Sequence, residues 1–184
     1  PDGNYQLVET TAPDGYTIAE EIEFTVENGK VLEFADNIVK MEDAPSKIYI
    51  SKVEIAGSTE LEGAHLEIKK YNEETKEYEE IKDRKDTTWT SKNTKHELEK
   101  LPNGKYKLIE TTAPDGYTKA EAIEFEIEDG KVKGRTDDTV TMIDAPSKIY
   151  ISKKAISGTD ELEGAHLEIK KYNEETKEYE EIKD

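Results

Sequence analysis

The chain has 184 residues, of which 44 are acidic and 26 basic, and its formal net charge is −18. Leucine, isoleucine, valine and phenylalanine together make up just under a fifth of it, a composition typical of disordered acidic chains. The negative charge argues against nucleic-acid binding, which needs a basic surface, and no apolar run is long enough for a membrane helix. The lack of cysteine excludes a disulfide framework, a thiol nucleophile and a thiolate metal site.

Long identical segments recur along the chain at one spacing. They are PSKIYISK (45–52 and 146–153), ETTAPDGYT (9–17 and 110–118) and ELEGAHLEIKKYNEETKEYEEIKD (60–83 and 161–184), and each second copy lies 101 positions after the first. A period of about 100 residues has the size of a domain, not of a solenoid unit. We therefore interpret 1–46 as the C-terminal part of one repeat domain, 47–146 as a complete domain and 147–184 as the N-terminal part of the next.

Within 47–146, apolar residues alternate with polar ones along several short runs. Alternation of this kind, with one apolar face, predicts half-buried strands. The inward-facing positions are, in chain order, Ile48, Ile50 and Lys52; Ala64, Leu66 and Ile68; Tyr106, Leu108 and Glu110; Ile123, Phe125 and Ile127; Val140, Met142 and Asp144. Asn28-Gly29 and Asp129-Gly130 lie between such runs and predict tight hairpin turns. The sequence thus predicts an all-β fold, an antiparallel immunoglobulin-like sandwich.

Three ionisable residues take inward-facing positions where the pattern calls for aliphatic ones: Lys52, Glu110 and Asp144. An unpaired buried charge costs several kcal/mol, so these residues are expected to meet one another. Periodicity alone leaves two interpretations open. Either the three form a reactive cluster, or they are a buried salt bridge or strand-end residues that reach solvent.

The segments that contain these residues resemble motifs of a known family. YKLIETTAPDGY at 106–117 resembles the YxLxExxAPxGY signature of prealbumin-like domains in Gram-positive surface proteins, the collagen-adhesin B-type or SpaA-like family. IYISK at 48–52 is similar to the first strand of that family, which carries a reactive lysine. VTMIDAP at 140–146 is similar to its last strand, which carries the asparagine or aspartate partner, and LEGA at 61–64 is similar to the start of its second strand.

This resemblance implies an intramolecular isopeptide bond, with Lys52 as nucleophile, Asp144 as electrophile and Glu110 as catalytic acid/base. An apolar environment lowers the pKa of an amine and raises that of a carboxyl group, which suits these roles. The bond forms once per domain with loss of one water and needs no cofactor, so an enzyme with turnover is not expected. Family members with asparagine as the partner release ammonia instead.

The partial copies contain incomplete versions of the same triad. Glu9 and Asp43 lie in the first partial copy, and Lys153 lies in the last. One hypothesis is that the partial copies of neighbouring molecules complement each other, with Lys153 bonded to Asp43. The pair lacks the counterpart of 84–101, which argues against that hypothesis.

These inferences predict a structural role, a covalently locked stalk or pilus-like fibre of a Gram-positive surface protein outside the cell. Neighbouring repeats are the expected partners, without nucleic acid and without membrane insertion in this segment. One alternative is an adhesin module that binds a host matrix ligand, although near identity between the copies favours a spacer. Another is a split-domain chain designed to link head to tail through Lys153 and Asp43.

No metal site is expected. His65, His96 and His166 have no ligand spacing, and the acidic residues near strand ends form no calcium-binding loop. Trp89 and Tyr106 are expected in the core, where they would shield the lysine and aspartate from water.

Overall fold

Strands and turns form the regular structure of the computed structural model, which describes residues 1–182. The strands are β1 (Gly3–Leu7), β2 (Ile22–Glu27), β3 (Lys30–Val31), β4 (Lys47–Glu54), β5 (His65–Asn72), β6 (Glu77–Glu80), β7 (Thr88–Thr90), β8 (His96–Glu99), β9 (Gly104–Thr112), β10 (Tyr117–Thr118), β11 (Ile123–Glu128), β12 (Lys131–Val132), β13 (Thr139–Pro146), β14 (Lys170–Asn173) and β15 (Glu178–Glu181). They belong to two units, Pro1–Ser147 and the residues from Lys148 onward. No helix among the described residues is long and apolar enough to cross a membrane.

The predicted complete copy, 47–146, forms two sheets around one core. One sheet contains β10, β13, β4 and β8 in that order, and the other contains β12, β11, β9, β5 and β6, with β7 also paired to β5. The buried core takes its residues from both sheets and includes Ile48, Ile50, Leu66, Ile68, Leu98, Tyr106, Leu108, Ile127, Val140 and Met142. The alternating pattern therefore places one face of each long strand inside, and the predicted all-β immunoglobulin-like sandwich is confirmed.

The first and last strands of the sandwich, β4 and β13, lie side by side and run parallel. The other strand pairs described for the sandwich are antiparallel, so the predicted antiparallel arrangement needs this one correction. The chain between β4 and β13 contributes strands to both sheets, and this long connection allows the two strands to run in the same direction. The register places Lys52 opposite Met142 and Glu54 opposite Asp144.

Both predicted hairpin turns are confirmed. Asn28-Gly29 joins β2 to β3, and Asp129-Gly130 joins β11 to β12, each as a two-residue loop. The four residues have φ between 50° and 73°, as a type I′ turn requires. This left-handed backbone is one that asparagine, aspartate and glycine adopt more readily than other residues.

The first partial copy folds into β1, β2 and β3, which pair as β9, β11 and β12 do. Gly3 lies opposite Val26, and Gly104 lies opposite Ile127, so the two registers agree at the sequence spacing of the repeat. The first unit contains this partial copy and the complete one, and it ends at Ser147. The boundary predicted between 46 and 47 falls inside that unit, and the division into repeat domains stays a prediction.

The second unit contains the hairpin β14–β15, in which Tyr172 lies opposite Tyr179. Tyr71 and Tyr78 form the same pair in the hairpin β5–β6, and the ring centroids are 5.2 Å apart in both. Ile169, just before β14, is 59% exposed. A single hairpin has no second sheet on which to bury its apolar side chains.

Candidate functional site

Lys52, Glu110 and Asp144 meet between the two sheets of the sandwich. Lys52 lies on β4, and Asp144 lies on β13, two positions beyond Met142, the residue opposite the lysine. Residues two positions apart on a strand share a face, so the lysine and the aspartate both point into the core. Glu110 reaches them from β9 in the opposite sheet.

The lysine ammonium contacts both carboxyl groups. Lys52 Nζ is 2.9 Å from Glu110 Oε1, and it donates a hydrogen bond to Asp144 Oδ1. The exposed fraction is 2% for Lys52 and 0% for both acids. The amine and the aspartate carboxyl group are therefore held in contact in a site closed to water, which gives them a high effective concentration.

A backbone hydrogen bond orients the glutamate. Glu110 Oε2 accepts a hydrogen bond of 2.6 Å from the amide of Ala120. Ala120 itself packs against the hydrophobic core. With one oxygen held in this way, the other oxygen of Glu110 faces Lys52.

Burial controls the charge of Asp144. Loss of hydration raises the pKa of this carboxyl group, and although the Lys52 ammonium opposes the shift, the nearby Glu110 adds to it. Among the residues that the structure describes, none donates a hydrogen bond to Asp144 Oδ2. A buried carboxylate oxygen without a partner is costly. Both effects favour the uncharged acid, which is the form that an amine attacks more readily.

Lys52 and Glu110 have apolar strand neighbours, whereas Asp144 lies opposite Glu54. Met142 lies opposite Lys52, and Leu66 lies opposite Glu110. Both side chains are buried in the core. In surroundings of low polarity, the interactions between the three ionisable groups are stronger than they would be in water.

Trp89 and Tyr106 lie in different places relative to the triad. Trp89, on β7, stacks on His96 with ring centroids 4.0 Å apart and lines a cleft that reaches Lys52. Tyr106 is buried on β9 and stacks on Phe125. Trp89 is half-buried and packs against the core, whereas Tyr106 lies within it, and the shielding of the lysine stays a prediction.

Glu60 is a site residue that the periodicity did not single out. Its Oε2 accepts a hydrogen bond of 2.8 Å from the amide of Lys52, and its Oε1 accepts one of 2.7 Å from the hydroxyl of Ser51. The carboxylate therefore holds the backbone of β4 at the lysine. Glu161, at the equivalent position of the second unit, accepts a hydrogen bond of 2.9 Å from the amide of Lys153, so the contact recurs with the repeat.

The tyrosine that ends the signature motif links the two strands of the site. Tyr117 lies opposite Pro146 at the end of β13. Its hydroxyl donates a hydrogen bond of 3.1 Å to Glu54 on β4, and this bond raises the pKa of Tyr117. The signature thus supplies both the buried Glu110 and a contact across β4 and β13.

The family model of the SpaA prealbumin-like fold domain matches residues 1–38 and 46–140, well over half of the chain. The chain belongs to this family. The match includes most of the first partial copy and most of the complete one, and Lys52 and Glu110 lie within it.

Solved structures of pilus proteins are similar to the chain in part. The pilus adhesin RrgA from Streptococcus pneumoniae is 22% identical with a TM-score of 0.49, over 61% of this chain and 16% of the adhesin. The shaft pilin SpaA from Lactobacillus rhamnosus GG is 19% identical with a TM-score of 0.43, over 80% of this chain and 66% of the pilin. The pilus-presented adhesin Spy0125 (Cpa) is 32% identical with a TM-score of 0.38, over 47% and 18% of the two chains. No curated protein sequence matches the chain.

The partial copies contain counterparts of single residues of the triad. Glu9 Oε2 accepts a hydrogen bond of 2.7 Å from Ala19, as Glu110 does from Ala120. Asp43 is half-buried, and Lys153, in the second unit, is exposed. Within residues 1–182, the structure joins none of Glu9, Asp43 and Lys153 in an ion pair, so it brings together the triad of the complete copy alone.

Two acidic residues near the start of β13 accept hydrogen bonds from backbone amides. Asp138 accepts a hydrogen bond of 2.8 Å from the amide of Val132, and Asp137 accepts one of 3.3 Å from that of Thr139. His65 is exposed on β5. Among the described residues, no three histidine or acidic side chains are grouped to hold a metal ion.

Proposed function

We propose that the complete copy forms an isopeptide bond between Lys52 and Asp144, with Glu110 as acid and base, and serves as a covalently locked structural repeat. The observation that carries this proposal is the contact of a buried amine with two buried carboxyl groups from three strands. A salt bridge alone gains little by such burial, since removing two ions from water costs several kcal/mol each. Amide formation removes both charges.

The reaction balances within the three residues. Glu110 takes a proton from the Lys52 ammonium, and the neutral amine attacks Cγ of the protonated Asp144 to form the N–C bond. Glu110 then gives its proton to the departing hydroxyl, the C–O bond breaks, and one water leaves. The second proton of the nitrogen passes to Glu110, which ends as the uncharged acid. Each domain reacts once, so the process is a maturation step and not turnover.

The position of the bond suits a structure that bears load. It would join β4 to β13, the first and last strands of the domain, across residues 92 positions apart in the chain. Force applied to the two ends of the domain would pass through this bond and not through the parallel hydrogen-bond ladder. By the chain-entropy argument used for disulfides, a cross-link over this distance contributes about 4–5 kcal/mol of stability.

The biological setting that we propose is a stalk or pilus-like fibre on a Gram-positive cell surface, with neighbouring repeats as partners. Family membership supports this setting. The near identity of the copies favours a spacer over a ligand-binding adhesin module, because a binding module needs a distinctive surface. A binding screen of the chain against host matrix proteins separates the two roles, and saturable binding would favour the adhesin.

Intact mass spectrometry of the purified chain tests the bond. We expect a mass lower than that of the sequence by one water. Lys52→Ala and Glu110→Ala should restore the full mass and lower the thermal stability, whereas Lys153→Ala, at the equivalent lysine of the second unit, should keep the deficit. A wild-type mass equal to that of the sequence contradicts the proposal.

Covalent linkage between chains is a second candidate, favoured by the local geometry of the partial copies. The contact of Glu9 with Ala19 and that of Glu161 with the amide of Lys153 repeat those of the complete site. If Lys153 bonds to Asp43 of another molecule, concentrated protein should give a ladder of covalent oligomers in denaturing electrophoresis. Asp43→Ala should abolish the ladder, and a single monomer band from the concentrated wild-type chain would exclude this linkage.

A further inference from the structure

One nine-residue segment occurs twice in the first unit with identical sequence and different burial. ETTAPDGYT occupies 9–17 and 110–118. In the first occurrence Ala12 and Gly15 are buried, whereas in the second Ala113 is half-buried and Gly116 is exposed. Because the sequence is the same, the difference comes from what covers the first loop.

Residues of the complete copy, Lys100 and Asn103 among them, cover the first loop. Asp14 Oδ1 accepts a hydrogen bond of 3.2 Å from the amide of Asn103. The Lys100 ammonium donates a hydrogen bond of 2.8 Å to the hydroxyl of Tyr16 and lies 4.6 Å from the centre of its ring. These contacts combine hydrogen bonds with a cation–π interaction.

Two glycines allow the surfaces to approach closely. A Cβ on Gly130 would lie 2.2 Å from the carbonyl oxygen of Tyr16, and one on Gly15 would lie 3.0 Å from Cβ of Lys100. The equivalent glycines of the other copies, Gly29 and Gly116, have nothing within 4 Å of such a Cβ. The close approach therefore belongs to this contact and not to the turns themselves.

The junction between the copies is tied into the same contact. Ser46 is fully buried. Its amide donates a hydrogen bond of 2.9 Å to the carbonyl of Gly15, and its carbonyl accepts one of 2.9 Å from the amide of Lys100. The residue that joins the two copies is thus held by a group from each of them.

We propose that the loop Ala12–Tyr16 and the surface formed by Lys100, Asn103 and Gly130 are the two halves of a docking joint between repeats. The joint holds one copy at a fixed orientation on the copy before it. The partner of each half is a second copy of this repeat, and the loop at 113–117 presents the first half again. The joint uses none of the residues of the Lys52–Asp144 bond, so it can form whether or not that bond forms.

A distance measurement between two spin labels tests the joint in the full chain. Because the chain has no cysteine, Glu23→Cys and Glu77→Cys place one label in each copy, on exposed positions of β2 and β6. Pulsed electron–electron double resonance should show one narrow distribution of the distance between the two labels. Gly130→Ala should broaden it or divide it, because the added methyl group collides with Tyr16.

Gly29→Ala is the matched control. Gly29 and Gly130 take the same place in equivalent two-residue turns, with φ of 72° and 73°, so the backbone strain of an alanine is the same in both. Gly29→Ala should leave the distance distribution narrow. Equal distributions for the two variants, or a broad distribution in the unsubstituted background, would overturn the docking joint.

A second substitution guards against misfolding of the turn. Lys100→Met keeps most of the length of the side chain but removes the ammonium that contacts Tyr16. It should also broaden the distance distribution, while the loss of one water from the Lys52–Asp144 site stays as in the parent chain. An unchanged narrow distribution in Lys100→Met would count against the joint even if Gly130→Ala fails to fold.

Discussion

At the scale of single residues, the buried site is governed by charge. Lys52 is surrounded by core side chains, and its two contacts are acids that are themselves fully buried. Every ion in such a place loses hydration, and a pair repays that cost only with good geometry. An amide between Lys52 and Asp144, with Glu110 left as the uncharged acid, would leave no ion in the site, which gives the folded domain a reason to react.

The titration of Asp144 should affect the stability of a variant that cannot form the bond. In Lys52→Met, burial still raises the pKa of Asp144 above its ordinary value, and the ammonium that opposed this is gone. A group with a raised folded-state pKa stabilises the fold at low pH and loses that contribution as the pH rises through that pKa. The thermal unfolding temperature of Lys52→Met should therefore decrease as the pH is raised from acid to neutral.

The control for this pH dependence is Lys52→Met/Asp144→Asn, which carries no titrating group at 144. Thermal unfolding of both variants across the same pH range isolates the contribution of Asp144 from that of the many surface acids. If the two variants show the same pH profile, Asp144 does not have a raised pKa in the folded chain.

Glu60 should act on the rate of bond formation by positioning the lysine. Its carboxylate holds the backbone at Lys52, and small displacements of reacting groups cost up to about 100-fold in rate. Glu60→Ala should therefore slow the loss of water roughly 10- to 100-fold, as followed by mass spectrometry during cell-free synthesis. Glu161→Ala, the same change in the second unit, should leave the rate unchanged, and a normal rate in Glu60→Ala would show that the clamp is dispensable.

At the scale of elements, the parallel pair β4–β13 places the reacting residues. Lys52 and Asp144 lie in a diagonal relation across this pair, since the lysine is opposite Met142 and the aspartate follows two positions later. In an antiparallel pairing with Met142 still opposite Lys52, Asp144 would lie toward Ile50 and not toward Glu54. The direction of one strand thus decides whether the site can form.

Met142 should be a strong determinant of stability on this pair. It is fully buried, and truncation of a buried methionine to alanine leaves a cavity that costs about 2–5 kcal/mol. In a Lys52→Ala background, which removes the cross-link, Met142→Ala should lower the free energy of unfolding by that amount in urea titrations. Ile143→Ala, on the adjacent and 52% exposed residue, should change it by less than about 0.5 kcal/mol.

At the scale of the whole molecule, the proposed bond changes how the chain responds to force. The segment between Lys52 and Asp144 would lie inside the covalent loop and could not extend. Only the short ends of β4 and β13 outside the loop would lengthen under load. An array of such copies would behave as a string of units that cannot unfold from their ends.

Single-molecule pulling from the two ends of the chain measures this property. In the wild-type chain, the complete copy should give no extension from the looped segment. In Glu110→Ala, which cannot form the bond, unfolding should release a further roughly 300 Å, because 92 positions separate the two residues at about 3.3–3.6 Å per extended residue. A wild-type chain that releases this length would show that the loop is open.

The amino-acid sequence by itself determined the five long strands of the complete copy, their buried faces and the inward positions of the three site residues. Period-two alternation depends only on local geometry, so it assigned Lys52, Glu110 and Asp144 to inward positions without knowledge of the sheet order. The two-residue turns at Asn28 and Asp129 were equally local. The composition, in contrast, pointed to disorder, because counting residues ignores the order in which the apolar ones occur.

Only the tertiary structure decided what depends on contacts between distant segments. The parallel pairing of β4 with β13 and the docking of Tyr16 against Gly130 both join residues whose proximity leaves no local pattern. Identical copies of a segment even differ in burial, since Gly15 is covered and Gly116 is not. The physical reason is that surroundings, and not sequence alone, set the burial and charge of a side chain.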